Sequence, residues 1–289
     1  MLADVIQLAK PRVTVMVIIT GLGGMWLAQR VGAVQAIAWQ RAGYMLLGLV
    51  LVVSGANALN MAIERDSDRL MDRTKNRPLP ARRMALRTAV ICGVGWSLLS
   101  LPVLALGVNG LSAFLAVVSL VMYVALYTPL KRVSSAALLV GAVPGAMPPL
   151  IGWTAATGSI GRPGLALFAV LFFWQLPHFI AIATFRKSEY ARAGIITLPA
   201  ERGDVAARCQ GLAYALLLVG ISLTLVPLGV GGLVYLGHAV VLGMLFVGVA
   251  AWGLSPASTT AEGSIRWART LFFVSLLYLT LLIAALMVG

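Results

Sequence analysis

The chain has 289 residues, 60% of them hydrophobic and 11% charged, with a mean hydropathy of +0.95. A soluble domain carries about 25% charged residues, so this composition excludes a water-soluble surface and implies lipid-facing helices. The net charge of +13 does not point to nucleic acid, because Lys and Arg fall in short loops between apolar runs, where they set topology.

A helix crossing a bilayer needs roughly 20 apolar residues. Nine runs approach that length: 13–29, 43–63, 88–107, 110–127, 136–153, 164–185, 210–230, 232–254 and 268–288. Val108-Asn109 and the stretch from Gly229 to Gly232 are kept as turns, since merged helices of about 40 residues are too long for a ~30 Å core. The start has no basic n-region, so no cleaved signal peptide is expected. Cys92 and Cys209 lie in or beside apolar segments and form neither a disulfide framework nor a metal spacing. With the N-terminus inside and the spans alternating, every Lys and Arg except Arg30, Arg41 and Arg162 falls on the inner side, as the positive-inside rule requires. All nine acids fall there too. That rule says little about acids, and a polar active face on the inner side accounts for them. The expected fold class is all-α: a polytopic membrane protein, with residues 1–289 forming one transmembrane domain.

The loop after the second span carries the chemistry. Asn60, Glu64 and Asp68 are spaced i, i+4, i+8 and share one face of a continuing helix. Asp72 extends the row, Asn57 lies on a neighbouring ridge, and Pro78 and Pro80 stop the helix. An Asp at the centre of a membrane helix costs about 2.5–3.5 kcal/mol, and neighbouring carboxylates add repulsion. A hard divalent cation with oxygen ligands offsets both, and Mg²⁺ typically uses one or two carboxylates plus substrate phosphates. Arg73, Lys75 and Arg77 follow directly, and guanidinium forks suit phosphate oxygens. The alternative reading is a solvated interfacial loop with internal salt bridges. The row at the end of an apolar span, with the basic run beyond it, favours a Mg²⁺–diphosphate site. Asp66 faces away from the row, towards Arg65 or Arg69.

Asn60-x3-Glu64-x3-Asp68, followed by Arg73-Thr74-x2-Arg77-Pro78-Leu79, resembles the first Asp-rich motif of the UbiA superfamily of intramembrane prenyltransferases. Three further stretches resemble the heme-farnesylating branch of that superfamily. They are Tyr127-Thr128-Pro-Leu-Lys131-Arg132, then Gly145-Ala-Met-Pro148-Pro149-Leu-Ile-Gly152-Trp153, then Phe173-Trp174-Gln175-Leu-Pro177-His178-Phe179. The resemblance runs from about Lys10 to about Gly203, and it implies nine helices bundled around a central cavity. The second polar loop departs from the superfamily pattern: Glu189 stands as a second-motif carboxylate, whereas Phe185 stands where another would be. The two polar loops also form a weak repeat, each ending in Leu-Pro-Ala (79–81 and 198–200); a duplicated unit would bring both to one cavity mouth.

The resemblance implies transfer of a farnesyl group from farnesyl diphosphate to a vinyl group of protoheme IX, both being substrates, with Mg²⁺ as cofactor. Asn60, Glu64 and Asp68 are the expected catalytic and metal-holding residues, and Arg73, Arg77 and Lys131 the diphosphate contacts. His178, Glu189, Trp174, Asn57 and Tyr127 are the candidates of the second polar loop and the heme side. The further expectations are a bacterial cytoplasmic membrane, the N-terminus cytoplasmic and the C-terminus outside, membrane lipid and a downstream heme A synthase as partners, and no nucleic acid. An intramembrane His is a functional candidate by default, which favours His178 as a heme contact over a structural bond, whereas His238, amid small residues, reads as structural. Trp153, Trp174, Trp252 and Trp267 lie near span ends and read mostly as an interfacial belt. The competing functions are a prenyltransferase acting on a quinone precursor or other aromatic acceptor, a secondary transporter, and an oxidase assembly protein.

Overall fold

The structure is a computed structural model that describes residues 2–288. Its helices are α1 (Leu2–Leu8), α2 (Pro11–Arg30), α3 (Trp39–Asp68), α4 (Leu86–Gly107), α5 (Gly110–Leu130), α6 (Ala137–Thr157), α7 (Arg162–Phe185), α8 (Lys187–Arg192), α9 (Leu198–Glu201), α10 (Asp204–Thr224), α11 (Leu233–Trp252) and α12 (Ala261–Val288). Among the described residues there is no strand, and nine helices are long and apolar enough to cross a membrane. The protein is a multi-pass integral membrane protein.

Turn chemistry explains both close splits. Asn109 accepts a hydrogen bond from the Ser112 N–H at 2.8 Å, capping α5, and its amide donates to the Thr154 carbonyl at 2.8 Å, fixing α6. Between α10 and α11, Gly229 takes a φ of 70°, a left-handed turn that a side chain would strain.

Two packed groups make the core. Met25, Met45, Leu49, Leu104 and Ile151 join α2 to α6, and Leu27, Ile180, Leu218, Phe246 and Leu271 join α2 and α7 to α10–α12. The helices α2 and α6 meet backbone to backbone. A Cβ on Gly24 would collide with the Pro149 carbonyl, and one on Gly152 with the Gly21 carbonyl. Small residues at a membrane interface permit this approach, which maximises van der Waals contact where lipid offers no hydrophobic drive.

The structure corrects two expectations. The helix α3 stops at Asp68 rather than at the prolines. The Thr74 hydroxyl donates to the Asp68 carbonyl at 2.8 Å, and the 69–85 segment folds back as turns, so Asp72 leaves the acidic row. It lies exposed, paired with Lys75 at 2.8 Å and Arg192 at 3.5 Å. The tryptophans do not form a common belt. Trp153 and Trp267 are buried, Trp267 donates to the Val249 carbonyl at 3.0 Å, and Trp174 donates to the Ser275 carbonyl at 2.6 Å. The indole N–H groups of Trp267 and Trp174 are spent on neighbouring helices instead of the headgroup layer.

Candidate active site

The last turns of α3 carry Asn57, Asn60, Glu64 and Asp68, all at most 5% exposed. Each meets a partner from another segment. Lys10 Nζ donates to Asn60 Oδ1 at 3.0 Å, and Asn60 Nδ2 donates to Thr128 Oγ1 at 3.1 Å. Glu64 is ion-paired with Lys131, and Arg77 Nη1 bonds Asp68 Oδ2 at 2.9 Å. Asn57 Nδ2 donates to the Ala9 carbonyl at 3.2 Å and so ties the start of α2 to α3.

These groups close one end of a cavity of ≈ 520 Å³ whose other walls are largely apolar, supplied by α2, α3, α5, α6 and α7. Lys10, Arg73, Arg77 and Lys131 line it against two carboxylates, Glu64 and Asp68, leaving a surplus of two positive charges. Lys10 takes a left-handed backbone with φ 48°, unusual for a non-glycine residue and characteristic of functional positions. Burial, and after it the charge of Arg77, lowers its ammonium to about 8, against the pull of Glu64 and Asp68.

The aromatic wall comes from a π-turn over Met122–Tyr127 within α5. Such one-turn widenings often mark functional sites. This one brings Tyr123 and Tyr127 to the cavity, their rings stacked at 5.6 Å, with Lys131 Nζ 5.4 Å from the Tyr127 ring. Gly141 leaves room for Tyr127, since a Cβ there would strike the ring.

The second polar loop meets the first at this same polar end of the cavity. The Arg73 guanidinium lies 5.8 Å from the centre of the Tyr190 ring, and the Ile196 N–H donates to the Lys131 carbonyl at 2.9 Å. Glu189 bonds Arg186 at 2.7 Å and does not line the cavity. Burial pushes its carboxyl up, but the Arg186 hydrogen bond and the charges of Arg186 and Arg73 outweigh this and hold it below the ordinary range.

Of the residues singled out from the sequence, Asn57, Asn60, Glu64, Asp68, Arg73, Arg77, Tyr127 and Lys131 therefore share one cavity. His178, Trp174 and Glu189 do not. Helix phase keeps His178 and Trp174 off this cavity. Gln175 and Phe179 present the cavity face of α7, whereas Trp174 and His178, one turn apart, face α12. His178 Nδ1 lies 2.7 Å from Ser275 Oγ, and its ring stacks on Trp174 at 4.9 Å and Phe272 at 4.7 Å. His238 bonds the carbonyl of its own helix at Val234. Sequence reasoning missed four residues. Lys10 read only as a topology signal, Thr128 stood within a motif without a role of its own, and Tyr123 and Tyr190 had no spacing to single them out. For Tyr123, its position one turn before Tyr127 was the available clue.

A cation surplus at the closed end of an apolar chamber selects an amphiphile with a multiply charged anionic head. The class this defines is a membrane-embedded enzyme for apolar chains carrying such a head. The chain belongs to the UbiA prenyltransferase family, whose model matches residues 17–277. It is 52% identical over 284 residues to the protoheme IX farnesyltransferase of Sorangium cellulosum, covering 95% of this chain and 100% of that one. It is 49% identical to the protoheme IX farnesyltransferase of Myxococcus xanthus, covering 98% and 93%. Among solved structures, a digeranylgeranylglyceryl phosphate synthase superposes with a TM-score of 0.83 at 18% identity, over 99% and 98% of the two chains. A UbiA homologue from Archaeoglobus fulgidus bound to DMAPP and Mg²⁺ superposes with a TM-score of 0.65 at 16% identity, over 99% and 100%. At these identities the solved structures establish the shared fold.

Proposed function

We propose that this prenyltransferase moves a farnesyl group from farnesyl diphosphate to a vinyl group of protoheme IX, giving heme O and diphosphate. The observation that carries the reading is the burial of Asn60, Glu64 and Asp68 together with four cations at the head of one apolar chamber. The curated relatives named for this reaction supply the acceptor.

The donor set suits Mg²⁺. Asn60 Oδ1, Glu64 and Asp68 offer only oxygen, and each is buried against a cation of this chain: Lys10, Lys131 and Arg77 respectively. Among the described residues no three carboxylate, imidazole or thiol groups converge. Asn60, Glu64 and Asp68 would therefore hold the ion together with phosphate oxygens of the substrate. When bound, Mg²⁺ supplies charge neutralisation of the departing diphosphate.

The chain's own residues do the rest. Lys10, Arg73, Arg77 and Lys131 bind the diphosphate oxygens and stabilise the charge that grows there as the C1–O bond breaks. The leaving group departs with the electron pair, C1 becomes electron-poor, and the vinyl π-electrons form the new C–C bond. Water adds to the resulting cation beside the porphyrin and loses a proton, giving the hydroxyfarnesyl product. Val17, Val52, Leu120 and Ile180 keep the chamber apolar around the chain, which protects C1 from premature hydrolysis. The face bearing the active site carries most of the basic residues, so it is assigned to the cytoplasm of a bacterial cell, with the C-terminus outside. Heme A synthase would receive the product.

The test is purified protein with farnesyl diphosphate and protoheme IX, with and without Mg²⁺, read by mass spectrometry of the heme and by diphosphate release. A hydroxyfarnesylated heme that requires Mg²⁺ is expected. Diphosphate release only with an aromatic acceptor other than heme would overturn the assignment.

A further inference from the structure

A second cleft, of ≈ 510 Å³, lies between the end of α3 and the start of α4 and shares no lining residue with the catalytic cavity. Four arginines line it: Arg65, Arg69, Arg82 and Arg83. Their neighbours neutralise only part of this charge. Asp66 serves both Arg65 and Arg69, and Asp4 serves Arg83 at 2.9 Å. Arg82 is exposed, has no ion pair or side-chain hydrogen bond among the described residues, and is held by a left-handed backbone with φ 57°. The cleft thus carries two uncompensated positive charges where a membrane-spanning helix begins.

The floor is apolar, with Leu79, Met84 and Leu86. From Leu86 an apolar stripe descends α4 at four-residue spacing through Val90, Val94 and Leu98, exposed by 38%, 38%, 42% and 61%. In a membrane protein that stripe faces acyl chains. A free anion would use the arginines and ignore the stripe, whereas a phospholipid uses both. Basic pockets at the ends of membrane helices recognise anionic headgroups, and guanidinium forks match phosphate oxygens.

We infer that this cleft is a binding site for the phosphodiester headgroup of an anionic phospholipid, whose acyl chain lies along α4. The site is independent of prenyl transfer, since none of its arginines touches the catalytic cavity.

Native mass spectrometry of the full-length, detergent-purified protein tests it, using phosphatidylglycerol and phosphatidylcholine of matched chains. Wild type is expected to retain phosphatidylglycerol in preference. The affinity should fall about fivefold in Arg82→Gln and roughly 25-fold in Arg65→Gln/Arg82→Gln, at about fivefold per arginine, with the thermal midpoint and the prenyl-transfer rate in detergent unchanged. Equal retention of the two lipids by wild type would overturn the proposal, as would unchanged phosphatidylglycerol binding in the double variant. Displacement of the lipid by equimolar glycerol phosphate or inorganic phosphate would show a simple anion site and overturn it as well.

Discussion

Lys10 Nζ and Asn60 Oδ1 lie 3.0 Å apart, across 50 residues of sequence, and this bond ties the entry of α2 to the end of α3 at the head of the cavity. The Asn60 amide is satisfied on its other side by Thr128, so α2, α3 and α5 meet at one side chain. A cation so placed serves two states: it satisfies the amide oxygen now, and it is within reach of a diphosphate.

Lys10→Met therefore weakens substrate binding more than turnover. A hydrogen bond to a charged group is worth about 1.5–3 kcal/mol, so KM for farnesyl diphosphate should rise on the order of ten- to a hundredfold, with kcat changed far less. Lys10→Arg should recover part of the loss. Steady-state kinetics at saturating heme measure this, and an unchanged KM in Lys10→Met would remove Lys10 from the diphosphate site.

Glu64→Ala and Asp68→Ala should abolish turnover while the protein still inserts. Each leaves a cation, Lys131 or Arg77, without its partner, and breaking a buried pair costs about 3–5 kcal/mol. The isosteric Glu64→Gln separates chemistry from folding. It is expected to insert, to bind farnesyl diphosphate, and to lose the Mg²⁺ uptake that accompanies binding, read by calorimetry. Heme O formation at the wild-type rate by both alanine variants would reject the metal assignment.

His178→Phe tests the structural role of that histidine. The change removes the contact with Ser275, whose hydroxyl keeps a second bond to the Phe272 carbonyl at 2.6 Å. The expected cost is about 0.5–1.5 kcal/mol of stability, with product formation per folded protein within about twofold of wild type, since His178 does not line the cavity. A tenfold loss of turnover at an unchanged thermal midpoint would restore His178 to the heme side.

Gly152→Ala should destabilise without touching the cavity. Its Cβ would meet the Gly21 backbone, which cannot swing aside as a side chain would. Overpacking of this kind costs about 1–3 kcal/mol. A lowered thermal midpoint in detergent is expected, and a midpoint equal to wild type would show that α2 and α6 can separate freely.

Glu201 supplies a pH dependence. The Ser135 hydroxyl and then its backbone N–H, at 3.0 Å, hold the Glu201 carboxyl below the ordinary 4.5. A depressed carboxyl contributes stability above its ordinary pKa and loses it as the pH falls through the folded value. The wild type should be more stable than Glu201→Gln at neutral pH, and the two should converge as the pH falls through 4.5 and below. Thermal melts across that range decide it, and parallel profiles would show that the Ser135 tether adds nothing.

The sequence by itself determined the nine spans and the acidic row. Partition between lipid and water depends on local composition, and residues four apart on a helix share a face whatever surrounds them. It also placed Arg73, Arg77 and Lys131 beside that row through motif order. Only the tertiary structure decided which neighbours those helices meet. It brought Lys10, from the N-cap of α2, to Asn60 and turned Tyr123 and Tyr190 onto the cavity. It also pointed His178 at α12 and ended α3 at Asp68 through the Thr74 hydroxyl. Helix phase, and the partner a face finds, are set by packing between segments distant in sequence, and a run of apolar residues looks alike whichever way it is rotated.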